Sequence, residues 1–331
     1  MEQHYIGVDL HKAFFQACAV TAVGERCWEG RFARNAEGIA RFIARGVGPQ
    51  QAIAVEASGP TWAFVDALMP SGARVCVVDP RKTRLKAGFA AKTDRLDARR
   101  LADALRRESV VSIYIPPPAI RELREVCRGR HQLVRVRTRL AQMIRALLLR
   151  HDVADPPTNR LYSPQSLAWL GQVQIGGEAD RTLRRLERVF RAVHEEAGVA
   201  DGHVKARAAD DPVARALEAM TGIGPVRALT IRAEVGDIAR FQRGAQLASY
   251  AGLVPAVDWS ADRRYTGRIT RAGSPWLRYV LVQAATNAMR RTDARGRWAR
   301  RLAMHTGRNK ARVALARVLC DEIVAQWPRI G

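Results

Sequence analysis

The chain has 331 residues, of which 47% are hydrophobic, and carries a formal net charge of +23 with a pI near 11.1. That hydrophobic content excludes a wholly disordered chain, and the length suits two or three domains that each bury a core. The charge excludes indifference to polyanions, and five scattered cysteines with no CxxC spacing argue against a disulfide framework.

From the N-terminus, residues 4–10, 14–21 and 26–33 read as three strands separated by short turns, and Asn35 then caps a helix through about Ala44. A strand at 53–57, a helix from Pro60 to Met69 and a strand at 75–78 follow. Thr93 is a good N-cap for a further amphipathic helix that carries Asp94, Leu96, Asp97, Leu101 and Leu105. Three strands, then alternating helix and strand, is the order expected of a ribonuclease-H-like α/β domain, here residues 1–112. No basic and apolar leader precedes the first strand, and no apolar run approaches the roughly 20 residues of a membrane span, which points to the cytoplasm.

Acids at four places in this segment carry the chemistry. Asp9 lies in the apolar run Tyr5–Leu10 and Glu56 in Ile53–Ala57, both short and β-branched enough for buried strands. Desolvating an ionised acid there is costly, and a bound divalent cation is one of the few partners that offsets it. Asp94 and Asp97, three apart, project from one face of the first helical turn, at the positive end of the helix dipole. Oxygen-only ligands point to Mg2+ or Mn2+ rather than zinc. Taken singly, each acid reads more readily as a cap or strand-end carboxylate with local hydrogen bonds. The set in this order favours a metal-dependent nucleic-acid enzyme.

The positive charge is unevenly placed: residues 1–80 sum to −1, 81–151 to +13, 152–220 to −2 and 221–331 to +13. Nearly all of it is arginine, whose planar fork suits bidentate phosphate contacts. After the break at Tyr114–Pro118, the chain from Ile120 to about His151 reads as an amphipathic helix with a basic face that includes Arg135 and Arg139. Pro156-Pro157 makes a second break. Residues 178–199 form another helix, with Leu183, Leu186, Val189 and Val193 approximating a coiled-coil seam. The two helices suit either an antiparallel hairpin or a dimer, in a middle region spanning 113–208.

The remainder, 209–331, reads as a mostly helical basic domain. Met220-Thr221-Gly222-Ile223-Gly224-Pro225 has the glycine pattern of a helix–hairpin–helix turn, where backbone amides approach a phosphate; a tight turn between packed helices is equally compatible. Tyr250–Pro255 leads into a polar loop, Trp259–Arg268, that sets Ser260 among Arg263, Arg264 and Arg268, with Arg271 and Arg278 beyond. Most serines so placed are surface hydroxyls.

These residues together resemble the DEDD transposases of bacterial insertion sequences, the insertion-sequence 110 family, also described as RNA-guided serine recombinases. The resemblance spans nearly the whole chain. It rests on Tyr5-Ile-Gly-Val-Asp9, Val55-Glu56-Ala-Ser-Gly59, Lys92-Thr-Asp94-Arg-Leu-Asp97-Ala98, Thr221-Gly-Ile-Gly-Pro225, Ala251-Gly-Leu-Val-Pro255 and Gly267–Gly273 followed by Leu277-Arg278. It implies a RuvC-like domain whose Asp9, Glu56, Asp94 and Asp97 bind Mg2+, and a C-terminal domain contributing Ser260 as nucleophile. It also implies double-stranded DNA at the element ends and target, a structured guide RNA, and a homodimer assembling to a tetramer in the bacterial cytoplasm at the nucleoid. The family pattern has glycine after the serine, where this chain has Ala261. Arg135, Arg139, Gly222, Gly224, Arg263, Arg264, Arg268, Arg271 and Arg278 are the nucleic-acid contacts to expect. The main competing reading is a RuvC-like structure-selective nuclease in which water attacks. A sugar-kinase or actin-like ATPase would need a second glycine-rich phosphate loop, and the sequence has none.

Overall fold

The first strand alternates Ile6, Val8 and Leu10 with Tyr5, Gly7 and Asp9, so one face of any sheet built on it is apolar and the other small and acidic. The computed structural model describes residues 3–79, 93–260 and 263–327, with 257–260 and 263–266 described in backbone alone. The chain divides into two compact units, Met1–Ile115 and Pro116–Gly331.

In the first unit, β1 (Tyr5–Leu10), β2 (Phe14–Val20), β3 (Arg26–Ala33), β4 (Ala52–Glu56) and β5 (Arg74–Val78) form a sheet in the order β3-β2-β1-β4-β5. The β1–β2 and β2–β3 pairs are antiparallel; β1–β4 and β4–β5 are parallel. Every strand expected from the sequence forms within a residue or two. So do α1 (Ala36–Ile43), capped by Asn35 at 2.9 Å to the Gly38 N–H, and α2 (Thr61–Leu68). These two helices lie on the apolar face. There Phe15 stacks or edges against Phe32, Phe42 and Phe64 at centroid distances of 5.3, 5.2 and 4.9 Å. Burying each such ring contributes about 1.5–3 kcal/mol.

The opposite face carries Gly7, Cys18, Ala52 and Ala54, small enough for α3 (Asp94–Arg106) to lie close on the strands through Ala98, Leu101, Ala102 and Leu105. The contact is closest at Gly7. A Cβ there would collide with the Ala98 carbonyl and the Ala102 amide.

The second unit opens with α4 (Pro118–Arg150), followed by α5 (Pro164–Gln172) and α6 (Gly177–Asp210). Arg130 pairs with Asp201 at 2.6 Å and Arg137 lies 3.3 Å from His194, so advancing along α4 means retreating along α6. The two helices are therefore an antiparallel hairpin within the chain. The seam differs from the one the sequence suggested: Leu183, Phe190, Ala197 and Val204 are buried at a seven-residue period, whereas Val189 is 51% exposed. A 3.5-residue repeat keeps one stripe on the partner: Leu186 and Val193 fall on it with Leu183, and Phe190 takes the place expected of Val189. The helix also runs eleven residues past the expected end at 199, through Gly202, because Val204 and Ala208 are buried in the core of this unit. Tertiary packing overrides the local weakness of glycine. The α5 helix, read only as chain after a Pro-Pro break, joins a cluster with Ile144, Leu161, Leu170 and Phe190.

Beyond it come α7 (Pro212–Glu218), α8 (Pro225–Val235), α9 (Gly244–Tyr250), β6 (Pro255–Ser260), β7 (Arg263–Ile269), α10 (Pro275–Ala288), α11 (Ala294–Thr306) and α12 (Arg308–Gln326). The expected polar loop is largely an antiparallel ribbon, β6 with β7. Its sequence, Val257, Trp259, Tyr265 and Thr266 between charged residues, has the β-branched and aromatic content of strands. Glu234, 1% exposed, binds this unit together. It accepts from Arg128 at 2.8 and 3.0 Å and from the Ser274 hydroxyl at 2.8 Å, linking α8 to α4 and to the N-cap of α10. Among the described residues no helix is long and apolar enough to cross a membrane.

Candidate metal centre

Asp9 is two residues beyond Gly7 on β1, and Glu56 two beyond Ala54 on β4, so both acids share the face covered by α3. Val8 pairs with Val55 in parallel register, which puts Asp9 and Glu56 one step beyond, side by side at the carboxyl ends of their strands. The α3 helix begins there. Its N-cap, Thr93, accepts from the Leu96 N–H at 3.4 Å, which places Asp94 and Asp97 in the first turn. The glycine at position 7 thus serves the acids, since it lets the helix carrying one pair approach the strands carrying the other.

Within this group Asp9, His11 and Asp94 each offer a ligand atom, and those atoms lie within 4.8 Å of one another. His11 Nε2 is 3.1 Å from Asp9 Oδ2 and 3.4 Å from Asp94 Oδ2, and its ring stacks on Phe14 at 4.6 Å. Burial pushes the Asp9 carboxyl above its ordinary range; His11 partly offsets that, and Asp94 and Asp97 add to it. A half-buried acid held against like charges is the environment a cation relieves, so the residues present fit a divalent metal. Asp97 Oδ1 also accepts from Arg100 at 3.3 Å, a pairing between i and i+3 that sequence reading passed over. His11 was passed over too. Only its spacing from Asp9 hints at it, and that gains meaning once α3 brings Asp94 to the same nitrogen. Glu56 and Asp97 are not among these three ligand groups, and a nitrogen beside two carboxylates suits Mn2+ at least as well as Mg2+.

A cleft of about 410 Å³ opens beside Asp94, with Gln16, Glu29, Arg31 and Arg95 around it. Arg31 is held over the Phe14 ring at 3.6 Å, so a cation stands fixed at the edge of the acidic group.

In the other unit, Ser260 is the last residue of β6, its backbone opposite Arg263. Its side chain and those of Arg263 and Arg264 lie outside the described residues, as does Ala261. Arg135, Arg139, Arg268 and Arg271 are exposed. Arg278 instead donates to the Ala251 carbonyl at 3.0 Å and the Arg271 carbonyl at 3.3 Å, holding two segments of its own unit. Gly222 sits at φ +89°, where a Cβ would come within 2.5 Å of the Ala284 carbonyl of α10. Its glycine is thus required by helix packing. Gly224 is extended and spacious.

Residues 6–151, which contain all four acids, match a family model described as transposase, and residues 214–301, which contain Ser260, match one described as transposase of the IS116/IS110/IS902 family. The transposase for insertion sequence element IS1111A of Coxiella burnetii is 27% identical over 94% of this chain and 86% of its own length. A probable family 20 transposase of Pseudomonas aeruginosa is 27% identical over 81% of each. The transposase for insertion sequence element IS1328 of Yersinia enterocolitica is 24% identical over 87% of this chain and 84% of its own. The mixed sheet, the acid cluster and these matches define a transposase, an enzyme that cuts and transfers DNA strands. The chain belongs to the IS110 family of DEDD transposases, a family that implies a divalent metal.

Proposed function

We propose that this transposase is a site-specific DNA recombinase with a split site, Asp9, Glu56, Asp94 and Asp97 holding Mg2+ or Mn2+ and Ser260 acting as nucleophile. The observation that carries it is the closeness of Asp9 and Asp94 beneath a helix that only Gly7 admits. The sheet order supports a RuvC-like reading of residues 1–112, because three antiparallel strands precede two parallel ones. We take 113–208 as a coiled-coil region and 209–331 as the domain that brings Ser260, with Arg263, Arg264, Arg268 and Arg271 as its phosphate partners. The α7–α8 turn at Gly222 and Gly224 is read as a helix–hairpin–helix-like element.

A metal bound by the four acids supplies Lewis acidity and charge neutralisation at the scissile phosphate. The chain does the rest. Ser260 Oγ gives up its proton and forms a bond to phosphorus while one P–O bond of the phosphodiester breaks, and the departing oxygen takes up a proton in exchange. The phosphoserine ester keeps the bond energy, so the same steps in reverse rejoin a different strand. His11, within hydrogen-bond reach of Asp9 and Asp94, is a positioning residue for both carboxylates. Two separate segments of +13 each support binding of both DNA and a structured guide RNA, by a homodimer that assembles to a tetramer.

A second reading, a nuclease in which water attacks, is favoured by His11 itself, which stands where it could take a proton from water beside the acids. Trapping covalent protein–DNA adduct with element-end DNA decides between them. The adduct is expected in the wild type and absent in Ser260→Ala. Cleavage by Ser260→Ala at the wild-type rate would establish the water reading instead.

A further inference from the structure

Outside the acid site, α4 and the start of α10 enclose a groove whose walls are aromatic and whose open end is basic. His131 stands edge-on to the Trp276 ring at 4.7 Å and to the Tyr279 ring at 4.5 Å, with interplanar angles of 90° and 83°. The imidazole therefore locks both rings in place. Burial, with help from Arg130 and Arg135, pushes the His131 pKa down, so at neutral pH it serves as an uncharged ring. Tyr279 is 44% exposed although it stands on a well-packed helix.

The cations sort into two sets. At the deep end, in a cavity of about 350 Å³, Arg128 is engaged by Glu234, Arg130 and Lys205 by Asp201, and Arg227 donates to the Gly222 carbonyl at 3.4 Å. Along the open continuation, Arg135 and Arg139 stand one helical turn apart, both exposed, beside Gln142. Among the described residues neither meets a carboxylate. An ordered aromatic surface leading to unneutralised arginines is complementary to a base followed by phosphates. Duplex DNA does not suit it, because stacked neighbours already cover both faces of every paired base.

We propose that this groove binds an unpaired nucleotide of a single-stranded nucleic-acid segment, its base stacked on Tyr279 and Trp276 and its adjoining phosphates on Arg135 and Arg139. The proposal is independent of Ser260, and it holds whether serine or water attacks the DNA. A single strand of either sugar meets the same chemistry.

The test uses the full chain, titrated with dye-labelled oligo-dT, oligo-U and a duplex of equal length, read by fluorescence anisotropy. Tyr279→Ala is expected to weaken both single strands by about tenfold or more, while duplex binding stays within about twofold. Tyr279→Phe keeps the ring and is expected to restore single-strand binding. Arg135→Ala and Arg139→Ala should each lower the salt slope by about 1. The tighter of the two single strands names the natural ligand. An equal loss on duplex and single strand, no loss on either, or a Tyr279→Ala effect that sedimentation traces to a changed oligomeric state would overturn the proposal.

Discussion

A carboxylate half-buried beside two others weakens the folded state until a cation joins it, and Asp9 is such a group. Replacing it by Asn removes the like charge while keeping the shape. Asp9→Asn is therefore expected to raise the melting temperature of the metal-free protein by about 2–4 °C, the shift that about 1 kcal/mol produces in a domain of this size. The rise on adding Mg2+ or Mn2+ should vanish in the same variant, and calorimetry with and without EDTA reads both; an unchanged metal-dependent rise would place the ion elsewhere. The sequence made Asp9 and Asp94 legible because alternation and capping are local rules. It did not make His11 legible, since a lone histidine just past a strand gains meaning only when the helix bearing Asp94 folds back over it.

At the scale of elements, α3 is held where Gly7 permits. Gly7→Ala is expected to destabilise the N-terminal unit by about 3 kcal/mol or more, because the clash is with helix backbone rather than a side chain that can turn away. Thermal melts and loss of DNA cleavage report it together; a variant that melts like wild type would mean that the helix does not lie on β1. The α4–α6 hairpin makes a prediction about acid. Burial alone would raise the Asp201 pKa, but hydrogen bonds from Lys205 and Arg130 outweigh it and hold the carboxyl below its usual range. A depressed folded-state pKa means that its stabilisation is present above the ordinary carboxylate value and is lost as pH falls through the lower one. Asp201→Asn should thus lower stability at neutral pH by up to about 1 kcal/mol and flatten the decline below about pH 4, as followed by circular dichroism. Elements with strong periodicity were readable from sequence. At the seam, periodicity alone does not separate Phe190 from Val189, which is also apolar; only the partner helix distinguishes them. The β6–β7 ribbon is hidden in the sequence, where serine, arginine and glycine mask the strand pattern around Trp259 and Tyr265.

For the whole molecule, charge and length set the behaviour. With 20 basic residues against 7 acidic ones in residues 221–331 alone, DNA affinity is expected to fall about a thousandfold or more between roughly 50 and 200 mM salt, measured by anisotropy. A weak salt dependence would mean that the arginines are engaged within the protein, as Arg278 is. The antiparallel hairpin also has a dimension. Thirty-three residues of α4 at about 1.5 Å each make a rod of about 50 Å, the axial length of about 15 base pairs of B-form DNA. Because its seam repeats every seven residues, the rod lengthens without losing its packing only in matched steps of a heptad on both helices, about 10 Å each. The hairpin thus has a fixed length equal to about one and a half duplex turns, and evolution or an engineer can reset it only in increments equal to about three base pairs.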